Sequence, residues 1–596
     1  MRLLLNVRRG FDLTDEGMYL LSVDSGSDVA SFHNPFGRYT RLLYVLAGSD
    51  VPRFRALGVL VLVAVAAVLG DRLAVLAHRL ARRRIAGPVR LAAAGAMVGA
   101  ALQYYLLYLI TPSYNWLNLV GILAVLAGLA HELGRPGPTG RRSAVDQGFV
   151  GLLIVGVAAA SAGKISSGPP LFLMAIGAVL VVVDPDRSAR RHTLTSYGTW
   201  LVGALCAHWL LANPLPTTVS QLVRGQRSLV LLDPAYGLDR AVGSVGDAVA
   251  YMAEGLPSRL LLPGLACAVT SAGVWVAARH PAGKALRPPL GRALVALLPW
   301  MLAAATMLVA VQLRRRGDWR GSNAGYPLMG WVGLSYVALA LTVAPVVWLR
   351  LGVGRVSRAR LRVTVFVLAA GLGAFSYAFG SNNGFFTQLN GGIGPLVAAA
   401  VLVVLLVPDP SRLAIPVLAM AMTLGIGAWL VVRDAESRPY RQLALRQHTA
   451  AFELSDGRGT LLLPPALAST FEQMRTDAAA NGWMAGTPLL DLSSYAAGVP
   501  FVLAADAPLT IIPSVAGYGG QQDLAADSID QLVKAGWAPR WRNAWLLTLE
   551  KGPAPGVDPV VLGRLGRSFP QDYERIGTYR LAGRKETVEL WRPQVP

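Results

Sequence analysis

Gly10-Phe11-Asp12-Leu13-Thr14-Asp15-Glu16-Gly17-Met18-Tyr19 places three carboxylates within five residues, directly ahead of a long series of apolar segments. Ionisable groups at the rim of a membrane bundle face water or a polar cavity rather than lipid. A carboxylate there can take the proton from an incoming hydroxyl. The same residues also fit an exposed acidic turn, with Asp15 as N-cap of a helix over Glu16–Leu21. Spacing alone does not choose between the two.

Outward from this stretch, the chain reads as a membrane protein. About twelve apolar runs of spanning length follow. They are Phe54–Ala77, Leu91–Ile110, Trp116–Leu133, Phe149–Gly163, Pro170–Val183, Leu194–Leu211, Leu260–Ala278, Ala293–Val311, Leu328–Leu349, Val363–Phe379, Ile393–Val407 and Leu413–Val432. Ahead of them Arg38–Leu46 reads as a short amphipathic helix lying in the interface, with Leu42, Leu43 and Leu46 on one face. Of 596 residues, 54% are hydrophobic and 15% charged, and the mean hydropathy is +0.46. That excludes an ordinary soluble protein of this length. The formal charge of +21 would suit nucleic acid, but the basic residues cluster in short loops between the runs. Those at His78–Arg90, Arg135–Arg142, Asp184–His192, Arg279–Arg292 and Arg350–Arg362 all fall on one side if every run spans, which makes that side cytoplasmic. Lipid headgroups and lipid phosphates are therefore the expected anionic partners, and nucleic acid is not. The acidic stretch and everything after Arg433 then lie outside. Arg314-Arg315-Arg316 is the exception, a basic triplet on the outer side. Cys206 and Cys267 both sit inside apolar runs and offer neither a disulfide framework nor a zinc motif.

After Val432 the composition changes. Residues 433–596 hold no spanning run and mix short elements: helices at Thr470–Gly482 and Ser528–Gly536, strands at Pro488–Leu492, Trp545–Glu550 and Thr587–Trp591. The expected architecture is mainly α: a polytopic helical membrane domain over 1–432 and an extracytoplasmic α/β domain over 433–596. The α/β domain is expected to bind an acceptor or brace the outer loops. It shows no Gly-rich phosphate loop, Ser-His-Asp order or metal motif.

Asp15-Glu16-Gly17-Met18-Tyr19, just before the first well-formed span, resembles the Asp-Glu of the first external loop in GT-C glycosyltransferases. That superfamily of integral membrane enzymes includes protein O-mannosyltransferases and lipid A aminoarabinose transferases, which take a sugar from a polyprenyl phosphate. With the many spans and the C-terminal soluble domain, the resemblance covers the whole chain. It implies Asp15 as catalytic base, with Glu16 beside it orienting the acceptor or a neighbour, or binding a metal. The family varies in metal need, and no cofactor is assumed. One departure stands out: the family carries a span before this loop, and here Met1–Arg9 precede it.

The outer segments supply the candidate substrate contacts. Lys164, in Gly163-Lys164-Ile165-Ser166-Ser167, is a point charge suited to a lipid phosphate, and Arg38 and Arg41 are further cations for it. Tyr114 and Asn115, at a span mouth, and Asn382 and Asn383, in a polar outer loop, offer aromatic and amide groups to a sugar. The ordinary roles for these residues are headgroup snorkelling, interface anchoring and turn formation. The expected partners are a polyprenyl-phosphate-linked sugar, a glycan, lipid or protein acceptor, and the bilayer of the plasma membrane. The alternative is a transporter or flippase of a lipid-linked or small solute. It would place ionisable groups near the midplane, whereas here the span interiors are almost free of them. A non-catalytic scaffold that binds cell-wall polymer would leave Asp15 dispensable.

Overall fold

The computed structural model describes residues 1–24, 36–82, 84–135, 142–183, 187–211, 215–232, 358–379, 391–406, 414–493, 496–507, 541–550, 562–582 and 587–594, with positions 243, 246, 388 and 530. The expected spans between 260 and 349 lie outside the described residues. So do Arg314–Arg316, Asn382, Asn383 and the expected helix at Ser528–Gly536, except position 530.

The chain opens with a single turn, α1 (Arg2–Leu5), then α2 (Asp15–Asp24) and α3 (Phe36–Leu46). Helix α3 turns Phe36, Gly37, Thr40 and Tyr44 inward, one turn apart, and leaves Leu42, Val45 and Leu46 exposed. Of the expected apolar face, Leu42 and Leu46 point outward, whereas Leu43 is half-buried against the core.

The bundle follows as α4 (Val51–Ala81), α5 (Gly87–Leu102), α6 (Tyr114–Gly134), α7 (Ala144–Gly163), α8 (Gly168–Ala178), α9 (Arg187–Leu211), α10 (Leu215–Leu232), α11 (Arg358–Ala378), α12 (Gly394–Leu405) and α13 (Ala414–Ser437). Among the described residues, α4, α6, α7 and α11 are long and apolar enough to cross a membrane. Their starts are fixed locally. The Asp50 side chain accepts from Arg53 N–H at 2.8 Å, with Pro52 in the first turn of α4. Ser113 caps α6, and Ser143 and Asp146 form a capping box on α7. Helices α4 to α7 run in alternate directions. One end gathers Tyr114, Lys164 and Tyr377. The other gathers Arg79 and Arg362, which donate to the carbonyls of Gly134 and Arg135.

The sequence expected one span over Leu91–Ile110. The helix instead stops at Leu102, tightens into a 3₁₀ turn over Gln103–Leu107, and Tyr108 takes a left-handed φ of 58°. One freed backbone group finds a partner, since the Leu107 carbonyl accepts from Tyr440 N–H at 3.0 Å, and nearby the Tyr104 hydroxyl bonds Ser113 Oγ at 2.9 Å. Asp71 and Arg72 do not interrupt α4, because Asp71 pairs with both Arg72 and Arg90.

Beyond Ser437 the chain builds sheets. A hairpin of β1 (Ala450–Glu453) and β2 (Thr460–Leu463) precedes α14 (Pro465–Ala480). Then come β3 (Leu489–Asp491), α15 (Gly498–Val502), β4 (Trp545–Leu549), β5 (Tyr573–Arg580) and β6 (Thr587–Pro593). The order is β3-β4-β6-β5, with β3 parallel to β4 and the other pairs antiparallel. This part packs onto the acidic stretch. Phe11, Leu13, Leu20 and Leu21 share one buried core with Phe452, Leu461, Phe471 and Phe501. Leu462 N–H donates to the Arg8 carbonyl at 2.7 Å and its carbonyl accepts from Gly10 N–H at 3.2 Å, so the chain start lies along β2. Gly498 N–H donates to the Leu13 carbonyl at 2.7 Å. A Cβ on Gly17 would fall on the Gly498 backbone, so glycine is required where α2 meets α15. These contacts brace the acidic stretch.

Candidate active site

The three carboxylates of the opening stretch have three different fates. Asp12 is fully buried. Its Oδ2 accepts from Asp15 N–H at 2.7 Å and Glu16 N–H at 3.3 Å, and both its oxygens accept from the Thr14 hydroxyl, at 3.0 and 2.8 Å. Asp12, not Asp15, therefore caps α2. The reason is geometric: Asp15 already lies in the first turn, and the orphan N–H groups of a helix start point back to a residue upstream.

Glu16 is also buried, and faces Arg55 near the start of α4. Arg55 Nη2 and Nε donate to Glu16 Oε1 at 2.7 and 3.0 Å, and Thr111 adds a short hydrogen bond to the same oxygen. Glu16 Oε2 accepts from Asp12 N–H at 3.0 Å. Arg55 further donates to the carbonyls of Val7 at 2.7 Å and Gly10 at 2.9 Å. One guanidinium thus ties the chain start, α2, α4 and the Thr111 loop together. The sequence analysis did not single out Arg55. An arginine just inside the start of the apolar run Phe54–Ala77 was the signal.

Asp15 is half-exposed, with 34% of its side chain open to solvent. Its Oδ1 lies 3.9 Å from Arg441 Nη1. Arg441, on the connector after α13, also escaped the sequence analysis. Asp15 acts electrostatically on Tyr19 and on Tyr114. Tyr114 meets Tyr19 and Phe36 edge-on, each at 6.0 Å between ring centroids. Lys164 Nζ lies 5.2 Å over the Tyr377 ring and donates to the Tyr377 carbonyl at 2.7 Å. Tyr19 and Tyr114 thus pack together beside the acidic helix, and Lys164 lies against Tyr377. Asn115 Oδ1 accepts from Gln388 Nε2 at 3.1 Å. Arg38 is half-buried and Arg41 exposed on α3, where Arg41 acts on Asp24 at the far end of α2.

Burial, reinforced by the Asp15 charge and then by Glu16, pushes the Asp12 carboxyl up to about 7, against the pull of the Thr14 hydroxyl and Arg441. The folded value lies above the ordinary 3.8, so the fold favours the protonated form. That contribution is complete below about pH 4 and is lost as pH rises through about 7. The melting temperature of the purified protein should therefore fall from pH 5 to pH 8, and Asp12→Asn should flatten this slope. An unchanged slope in Asp12→Asn would assign the dependence to other groups.

Among the described residues, no group of three or more His, Cys, Asp or Glu could hold a metal ion. No family model and no curated protein matches the chain. Solved structures do. ArnT from Cupriavidus metallidurans in the apo state is similar over 98% of this chain and 95% of that one, at 16% identity and a TM-score of 0.34. The same protein bound to undecaprenyl phosphate is similar over 98% and 94%, at 15% identity and a TM-score of 0.35. The archaeal oligosaccharyltransferase AglB from Archaeoglobus fulgidus, in complex with an inhibitory peptide and a dolichol-phosphate, is similar over 91% of this chain and 66% of that one, at 11% identity and a TM-score of 0.38.

Proposed function

We propose that this protein is an integral membrane glycosyltransferase that moves a sugar from a polyprenyl phosphate to an acceptor hydroxyl at the outer face of the plasma membrane. The observation that carries this reading is the division of labour among the three carboxylates. Asp12 and Glu16 are buried in structural roles, and Asp15 is left half-exposed. The Asp15-Glu16 resemblance to GT-C enzymes points to the same residue. Asp15 takes the acceptor proton, and the hydroxyl attacks the anomeric carbon opposite the polyprenyl phosphate. The configuration inverts and the lipid phosphate departs. One base suffices because phosphate is already a good leaving group, and a cation such as Lys164 stabilises its charge. Arg38 and Arg41 stand on the interfacial helix, where a lipid headgroup would pass. In this reading Tyr114 and Asn115 contact the sugar.

The reading requires Asp15 and the β-rich part to lie outside. In a background without Cys206 and Cys267, a membrane-impermeant thiol reagent applied to intact cells should label Ser469→Cys and spare His192→Cys. Both positions are exposed. The reverse pattern would overturn the orientation.

A further inference from the structure

We infer that Lys164 takes up a proton from solvent when the lipid phosphate of the donor binds, which makes donor binding weaken as the pH rises through neutrality. This rests on Lys164 being the phosphate contact of the proposed reaction, and adds how that contact is regulated. Lys164 follows the last residue of α7 and opens the connection to α8. Packing on both sides fixes its backbone. A Cβ on Gly163 would fall 2.5 Å from the Tyr114 carbonyl oxygen and 2.6 Å from the Asn118 nitrogen, so α7 ends hard against α6. Ser167 N–H donates to the Lys164 carbonyl at 3.0 Å, and Ser167 Oγ donates to the Ser376 carbonyl at 3.3 Å. The half-buried side chain then lies against α11, donating to the Tyr377 carbonyl at 2.7 Å. Tyr377 is the last residue but one of α11, whose end carbonyls have no partner within the helix and form the negative end of its dipole. That carbonyl sets the place of the nitrogen and leaves its other donors for phosphate oxygens.

The groups around this nitrogen call for an anion. From α11 comes Tyr377, with its ring and carbonyl. From α6, Tyr114 and Asn118 meet the neighbouring Gly163. From α8 comes the positive end of a helix whose first turn holds Pro169 and Pro170, which offer no N–H. Among the described residues, no carboxylate lies within ion-pair reach of Lys164. Burial alone pulls its ammonium down from the ordinary 10.5 to about 7. About half of the empty sites therefore lack the charge at neutral pH. A bound phosphodiester supplies the missing negative charge and favours the ammonium. The bound value then lies above the free one, and binding takes up a proton between the two. Uptake is small below about pH 6, about half a proton at pH 7 and close to one at about pH 8.5.

The test needs no knowledge of the sugar. The probe is the methyl ester of undecaprenyl phosphate, a lipid phosphodiester whose single charge does not change across this range. Calorimetric titration of the full-length protein in detergent, in buffers of different ionisation enthalpy, counts the protons exchanged. The wild type should take up about half a proton at pH 7, and its affinity should fall by up to about tenfold per pH unit above that. Lys164→Arg stays charged throughout, so it should bind without proton exchange and with little dependence on pH. Lys164→Met should bind weakly at every pH. Binding by the wild type without proton uptake overturns the inference, and so does uptake that persists in Lys164→Met. If neither variant folds, the proton count of the wild type decides. Dimethyl phosphate should give no uptake, and uptake equal to that of the lipid would assign the site to a free phosphate ester and overturn its role toward the donor. No binding of the lipid ester by the wild type overturns both the inference and the reading beneath it. If Asp15→Asn transfers sugar normally while proton uptake still follows Lys164, the choice of base fails and the phosphate site stands.

Discussion

Asp15→Asn should lower sugar transfer by about 10²–10⁴-fold, the usual contribution of a general base, while leaving donor binding intact. The amide keeps the shape of the side chain and removes its capacity to take a proton. The substitution should be nearly silent in stability, since Asp15 is half-exposed and the cap of α2 is Asp12. Transfer from a radiolabelled polyprenyl-phosphate sugar into membrane glycan measures the loss, and a thermal shift with undecaprenyl phosphate measures binding. Normal turnover in Asp15→Asn with loss in Asp12→Asn would move the base to Asp12. Normal turnover in both would end the glycosyltransferase mechanism proposed here.

The second large effect concerns Arg55. Removing one partner of a buried ion pair leaves the other charge uncompensated and typically costs about 3–5 kcal/mol. Arg55→Leu does more than that, because the Val7 and Gly10 carbonyls lose their donor and Glu16 is left buried. The expected result is a large fall in melting temperature and a chain start open to protease. The double variant Arg55→Met with Glu16→Leu removes both charges and should recover part of the loss. It should not recover all of it, since the two carbonyls remain without a donor. A single variant as stable as the wild type would remove Arg55 from its place as the tie between the chain start and the bundle.

The two effects separate function from architecture within five residues. Glu16 and Asp15 are neighbours in sequence and differ by about 100° around the helix, so one faces Arg55 and the other faces solvent and Arg441. Variants of Glu16 should therefore report on stability, and variants of Asp15 on turnover.

The sequence by itself determined the architecture, because that depends on local properties. Apolar length marks the spans, and the loss of spanning runs after Val432 marks the change to sheet. It also isolated the stretch Gly10–Tyr19, because three carboxylates ahead of a bundle are conspicuous against so apolar a chain. Tertiary structure alone decided what each carboxylate does. Arg55 and Thr111 are far from Glu16 in the chain yet close its hydrogen bonds, and Arg441 reaches Asp15 from the connector that follows α13. Even the cap of α2 depended on how the backbone turned at Asp12–Thr14, which composition does not reveal. Charge, burial and proton affinity at this site are properties of neighbours brought together by packing, and no window of sequence contains those neighbours.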